Sequence, residues 1–467
     1  MKRLFSIVAI ALAFCSVASA QHNLRTGYFL DGYAYKHKLN PAFGSDRGYF
    51  AIPIAGYLTA GVETNLSLST LLYPTGNGTL TTFLNTSVSA EEFMSKIQNN
   101  NPLNVNTDIS ILSLGFNAGK SFNTIDVSIK ADARANVPGA LFSWAKQYGS
   151  HIDMSDLGIN ADARLELSYG YSRTILGNIR IGAKVKFLAG LAKAKYSMNK
   201  LTLDLNENKW SAEAEGNGYF SAPGIQMTAE NGVINGVDIP DYEEILKAAE
   251  NYKNYGAAID LGFSMDILKY LTVSASITDL GFINWTGTSL GSEYGSVEYT
   301  GLKNIGAEEV DIETQFTQLG EELLEIVSPR VKSYNEKLME MLSMTAHVGL
   351  EFRMPFWQRL SAGVLGTYRF DGPYSWWEAR GSVNLALLRW FSLSGNYAYS
   401  TYGESYGAAV NFHPNGINLF VGIDSYKPAL NLTRQYIPID SFNTNLAVGL
   451  NIAFGKYHGR YPKKVRK

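Results

Sequence analysis

The stretch Ile159–Leu191 leaves the chain few ways to fold. In its first half Ile159, Ala161, Ala163, Leu165, Leu167 and Tyr169 share one alternation. Asn160, Asp162, Arg164, Glu166 and Ser168 hold the other. Tyr171–Asn178 ends in the turn-favouring pair Gly177-Asn178, and then the pattern resumes. Ile179, Ile181, Ala183, Val185, Phe187, Ala189 and Leu191 interleave with Arg180, Gly182, Lys184, Lys186, Leu188 and Gly190. Successive side chains of a strand point to opposite faces, so each half has one apolar and one polar face. A bilayer-crossing strand needs roughly 9–11 residues, whereas soluble strands are usually nearer five or six. Both halves reach the longer class, which favours a membrane barrel over a soluble sandwich.

Similar strands recur. Gly61–Leu71 is the first clear candidate. Ile109–Ala118 and Phe122–Ala135 form a hairpin about Gly119-Lys120-Ser121, and Ala257–Met265 pairs with Leu271–Ile283. Thr345–Arg353, Arg359–Phe370, Glu378–Leu388, Trp390–Ser400, Ser405–His413, Gly416–Asp424 and Phe442–Phe454 follow. Short joints such as Asp266–Tyr270 alternate with long ones such as Ala192–Tyr255 and Asn284–Met344. That is the pattern of short periplasmic turns and long outer loops. The expected fold is all-β: a transmembrane up-and-down barrel of about 14 antiparallel strands with an N-terminal hatch segment. Short helices are expected in the long loops, after Ser89 and over Asp241–Tyr255, Glu321–Val327 and Val331–Leu342. Phe122, Tyr169, Tyr171, Tyr270, Phe356, Trp357, Trp390 and Phe391 lie beside the short joints, where an interfacial girdle would place them.

The N-terminus reads as a signal peptide, residues 1–20: Lys2 and Arg3, then the apolar Leu4–Phe14, then Ala18-Ser19-Ala20. Its removal takes Cys15, the sole cysteine, and with it any disulfide or thiol chemistry. Residues 21–60 are expected to form a hatch and lead into the barrel of residues 61–454, and 455–467 is a basic periplasmic tail. With 44 Gly, 28 Tyr and 23 Phe the mean hydropathy is only -0.08, as when half of each strand faces water. A net charge of -2 gives no reason to expect nucleic acid. The six histidines are scattered, and Gly115–Ser121 leads into a strand rather than the helix a phosphate loop needs. No cofactor, metal ion or catalytic residue is expected, and the chain does not read as an enzyme.

The polar faces of successive strands carry Asp126, Lys130, Asp132 and Arg134, then Asp162, Arg164 and Glu166, then Arg180, Lys184 and Lys186. An Arg or Lys facing hydrocarbon at mid-depth costs about 2–4 kcal/mol, so these side chains are expected to face the lumen. They read as the wall of a solute path or as an ion-pair ladder filling the lumen; their mixed signs favour the ladder. Asn40-Pro41-Ala42 reads as a tight turn or as a gating hatch.

Leu39-Asn40-Pro41-Ala42-Phe43 resembles the hatch segment of FadL-like outer-membrane transport proteins and the start of type IX secretion-associated barrels. Four segments carry a broader likeness: Ser113-Leu114-Gly115-Phe116, Tyr169–Arg173, Leu271–Ser276 and Arg389–Ser394. From about Asn40 to Gly455 the chain is similar to an uncharacterised family of Bacteroidetes outer-membrane β-barrels. Gly449, Ile452 and Phe454 match the barrel-assembly signal of a final strand, although Ala447 stands where a polar residue is usual and thirteen residues follow Phe454. The resemblance implies a Gram-negative outer membrane as location, with membrane lipid and the assembly machinery as partners. It further implies passive uptake or binding of a small hydrophobic or amphipathic molecule. The alternative is a non-transporting anchor or accessory for surface or secreted proteins.

Overall fold

The computed structural model describes residues 23–75, 80–147, 151–205, 210–230, 233–238, 240–241, 243–244, 247–248, 253–292, 295–299, 328–426 and 443–456. In chain order the strands are β1 (Gly48–Ala51), β2 (Leu58–Thr64), β3 (Leu72–Pro74), β4 (Leu80–Thr82), β5 (Asn100–Ala118) and β6 (Ser121–Pro138). Next come β7 (His151–Asp153), β8 (Gly158–Ile175), β9 (Ile179–Leu205), β10 (Trp210–Ser221), β11 (Gln226–Glu230) and β12 (Val233–Asp238). The central part holds β13 (Tyr255–Leu268), β14 (Leu271–Gly291), β15 (Gly295–Tyr299), β16 (Arg330–Met341) and β17 (Met344–Arg353). The last six are β18 (Leu360–Phe370), β19 (Trp376–Leu388), β20 (Phe391–Ser400), β21 (Gly403–Phe412), β22 (Ile417–Tyr426) and β23 (Thr444–Phe454).

Each barrel strand pairs antiparallel with the next, and β23 returns to both β1 and β2. β1 and β2 share the same two neighbours, β23 and β5, and so act as one interrupted strand. Counted this way the barrel closes with 14 strands. Closure leaves no unpaired sheet edge in the hydrocarbon, where an unbonded backbone group is prohibitively costly.

Side-chain placement is inverted relative to a soluble protein. Leu167, Val185, Phe187, Val348, Val364, Val383, Val421 and Ile452 are all exposed on the outer face. Polar residues of the alternate phase are buried inside: Ser168, Lys184, Lys186, Ser274, Arg380, Ser382, Asn384 and Asn451. An apolar surface of this extent is stable only against lipid, so the barrel spans a membrane. Exposed aromatics gather at both ends of the strands. Trp390 meets Phe412 at 5.2 Å near the short turns, and Trp377 meets Tyr399 at 5.8 Å near the long connections.

The wall is uneven in height. β17 to β23 run 10 to 13 residues each, whereas β9 runs 27 and β14 runs 21. The excess continues beyond the barrel as an outer sheet in which β10 pairs with β9, β14 and β15, and β16 pairs with β14.

Three expectations are corrected. The strand expected over Gly61–Leu71 is instead Gly48–Ala51 plus Leu58–Thr64, and Leu68–Leu71 is helical. The segment Val331–Leu342 is not a helix: it lies in β16, paired along Phe282–Gly291 of β14. Its Glu-Lys-Leu-Met-Glu-Met run favours a helix by only a few tenths of a kcal/mol per residue, roughly, and the ladder to β14 outweighs that. Phe122 is no girdle residue either; it is buried in the interior beside Tyr49 and His37. The helix after Ser89 does form, and the Ser89 hydroxyl accepts from Glu92 N at 3.1 Å. Residues 1–20, Glu321–Val327, part of Asp241–Tyr255 and most of the basic tail lie outside the described residues.

Candidate functional site in the plugged lumen

Residues 23–47 sit inside the barrel as two short 3-10 turns, Arg25–Gly27 and Ala34–Lys38, joined by bends. A chain this short cannot bury a core of its own, so it borrows one. Leu24, Leu30, Tyr33 and Tyr35 pack with Tyr57, Phe122 and Phe420 of the wall. Tyr35 lies 4.6 Å from Tyr57 and 5.1 Å from Tyr49, centre to centre.

Polar anchors fix the plug all round. Arg25 meets Glu63 of β2 at 2.8 Å and Glu378 of β19 at 3.1 Å. Asp424 of β22 accepts the backbone N–H groups of Arg25 and Thr26, both at 2.7 Å. Asp31 is held by Arg353 at 3.1 Å, and its carbonyl accepts from Ser392 at 2.6 Å. Tyr35 donates to Asn451 at 2.7 Å, and Lys38 pairs with Asp108 at 2.7 Å. His37 bridges Tyr49 at 2.6 Å and Lys184 at 3.2 Å.

Asn40-Pro41-Ala42 is a turn seated in the wall. Asn40 is fully buried and its Oδ1 accepts from Ala42 N at 3.0 Å. Its Nδ2 donates to the carbonyls of Phe263 and Ala275 at 3.2 and 3.3 Å. The seat exists because Gly182 of β9 and Gly262 of β13 stand directly opposite each other. A Cβ at Gly182 would strike the Pro41 carbonyl, and one at Gly262 would strike Asn40 Oδ1. Ser276, across from Gly262 on β14, closes the seat by donating to the Leu39 carbonyl at 2.7 Å.

The ladder residues lie on the inner face. Asp126, Lys130, Asp132, Arg134, Arg164, Glu166, Lys184 and Lys186 are buried, while Asp162 and Arg180 are half-buried. Register sets Lys130 opposite Arg164 and Asp132 opposite Asp162, two like-charge pairs that would repel if they met directly. The side chains pair diagonally instead. Lys130 reaches Glu166 at 2.9 Å, Arg164 reaches Asp132 at 3.0 Å, and Arg134 reaches Asp162 at 2.7 Å. Lys184 meets Asp126 at 3.2 Å. Arg180 stands apart from these pairs and donates to Ser172 Oγ at 3.2 Å.

The sequence reading missed much of the network. Lys186 is shared by Asp260 at 2.8 Å and Asp279 at 2.7 Å. Arg134 also reaches Asp371 at 2.5 Å, and Arg380 grips Glu378 through two bonds of 2.8 and 2.9 Å. Glu378 and Arg380 share the inward phase of β19 with Ser382 and Asn384, so the alternation used for Ile159–Leu191 would have found them. Arg25 and Lys38 carry no such signal, because the plug has no period.

In the last strand Ile452 and Phe454 point outward, while Gly449 faces inward where Phe420 and the Gly56 carbonyl leave no room for a Cβ. Among the described residues no His, Cys, Asp and Glu side chains group as metal ligands.

Solved structures of similar architecture share little sequence. The toluene transporter TbuX of Ralstonia pickettii is 9% identical, with 94% of this chain and 98% of that one covered at a TM-score of 0.44. A FadL homologue of Pseudomonas aeruginosa is 10% identical, with 94% and 99% covered at 0.43. The translocator domain of the autotransporter NalP of Neisseria meningitidis is 7% identical, with 88% and 90% covered at 0.31. Comparison with curated proteins gives no match. The sequence over residues 41–424 matches the family of unknown function DUF5723, and the chain belongs to that family.

Proposed function

We propose that the protein is an outer-membrane barrel that binds small polar-headed or amphipathic molecules and passes them passively, with residues 23–47 as the closed gate. The observation that carries this reading is the plug, wedged across the lumen and tied to strands on every side. The charged lumen wall argues for a solute with a polar group over a wholly apolar one. The outward Ile452 and Phe454 suit recognition by the assembly machinery from the membrane side.

A non-transporting anchor for surface or secreted proteins is the second reading. It is favoured by the many bonds that tie the plug to the wall and by the tall outer sheet, which offers a partner a platform. Conductance in planar bilayers separates the two. Deletion of residues 23–47 is expected to turn a nearly silent barrel into an open pore, and addition of solute to the full chain is expected to raise its conductance. A full chain that stays silent with every solute, yet co-purifies with one surface protein, would sink the transport reading.

A further inference from the structure

The six short turns and the end of β23 make the periplasmic rim, and its exposed charge has one sign. Lys120 stands in the β5–β6 turn, Lys269 in the β13–β14 turn and Arg389 in the β19–β20 turn. Arg173 lies near the end of β8, Arg359 just ahead of β18 and Lys456 just past β23. All six are exposed, and only the β21–β22 turn carries no such cation. No described Asp or Glu of this rim is exposed. Asp31, Asp46 and Asp266 are half-buried and Glu351 is buried. Asp266 accepts from Thr272 at 2.6 Å, and Glu351 meets Arg353 at 3.0 Å. At the opposite end the signs are mixed: exposed Lys96 pairs with exposed Glu92 at 3.2 Å, and exposed Lys337 follows exposed Glu336.

Five of the six cations stand beside side chains that need hydrocarbon. Ile267 and Leu268 are exposed just before Lys269, Phe356 and Trp357 just before Arg359, and Trp390 just after Arg389. Arg173 shares the outward phase of the exposed Tyr169 and Tyr171, and the exposed Phe454 comes two residues before Lys456. Exposed rings of this kind lie at the membrane interface, so the cations beside them lie at the depth of lipid phosphates. Neighbouring strands are about 4.8 Å apart, which sets successive turns roughly 10 Å apart around the rim. Cations spread singly around a ring suit many small headgroups, whereas one compact macromolecule would need a cluster. A zwitterionic head brings its own ammonium and gains little from a rim without exposed carboxylates. A net-anionic head is attracted, by about fivefold for each basic residue near the surface.

We infer that the periplasmic rim gathers anionic phospholipid of the phosphatidylglycerol class from the leaflet it faces, one headgroup phosphate to each exposed cation. The inference takes the side of the membrane from the outer-membrane reading and nothing from transport. The ring stands whether or not solute crosses the barrel.

The test reconstitutes the full chain in phosphatidylcholine vesicles with a trace of spin-labelled phosphatidylglycerol or spin-labelled phosphatidylcholine, and compares the motionally restricted fraction of each label. Phosphatidylglycerol is expected to be favoured about threefold or more at low salt, and the preference is expected to fade at about 0.5 M salt. Lys120→Gln, Lys269→Gln and Lys456→Gln together are expected to lower the preference about twofold or more. Lys96→Gln with Lys337→Gln, at the other end, is expected to leave it unchanged. Migration of unheated samples on gels checks that each variant is folded. Equal restriction of both labels by the wild-type chain overturns the proposal. So does equal loss in the two sets of variants, which would make the preference a matter of overall charge. Binding to sedimented peptidoglycan without any lipid preference also overturns it, and would give the rim to the cell-wall polymer.

Discussion

Single residues decide where this barrel is firm and where it yields. Lys184 is buried at the meeting of β9 with the plug, bonded to Asp126 and to His37. Lys184→Met leaves the Asp126 carboxylate buried without its cation, a loss of about 3–5 kcal/mol. The unfolding midpoint in detergent is expected to fall by a corresponding amount while basal conductance stays low. A large conductance change with an unchanged midpoint would show instead that the ladder is a solute path. His151 makes the opposite case, in the open. Its Nδ1 lies 2.5 Å from Asp204 Oδ1, where β7 pairs with β9 outside the membrane. That hydrogen bond, with the charge of Asp204, raises the imidazole above its usual value. The contribution to stability is therefore complete below the unfolded value near 6.5 and is lost as pH rises through the raised folded one. Amide exchange of β7, corrected for the intrinsic rate, is expected to speed up as pH climbs through that window, and His151→Gln is expected to flatten the dependence.

Among elements, the seat for Asn40-Pro41-Ala42 shows how much position depends on what is missing from a side chain. Gly262→Val puts a branched side chain where Asn40 Oδ1 and the Ala42 amide now sit. Overpacking of this kind costs about 1–3 kcal/mol, and the plug is the softer partner. The variant is expected to release residues 23–47 to added protease and to raise conductance, with the barrel still intact on gels. A plug that stays protected would refute the seat. The same elements show what could be read in advance. Strands such as β8, β19 and the first half of β9 announce themselves because lipid on one side and a charged lumen on the other impose strict alternation; β9 past Leu191 reads as part of a long joint. β16 did not, since above the membrane no lipid enforces the pattern and its residues favour a helix. The opening strand was misplaced because Pro53 and the turn at Ile54, whose φ is 67°, break it in two. The ladder was legible as a face, but its diagonal pairing was not, because pairing follows register between strands distant in sequence. Arg25, Lys38 and the seat glycines acquire meaning only once the plug is placed inside.

For the whole molecule, the inversion of apolar and polar faces fixes its solvent. The protein is expected to migrate faster on gels when unheated than when boiled, and to show strand-dominated circular dichroism in detergent. A chain that remains dispersed and folded after detergent removal would overturn the membrane assignment. The uneven wall adds a mechanical consequence. β9, β13 and β14 supply Gly182, Gly262 and Ser276 to the plug's seat, and β9 and β14 also continue past the membrane into the outer sheet. A hydrogen-bonded ribbon resists stretch far more than tilt, so those two strands work as a lever whose fulcrum is the bilayer surface. A load on the outer sheet is therefore expected to reach the Asn40-Pro41 turn at the lever's inner end.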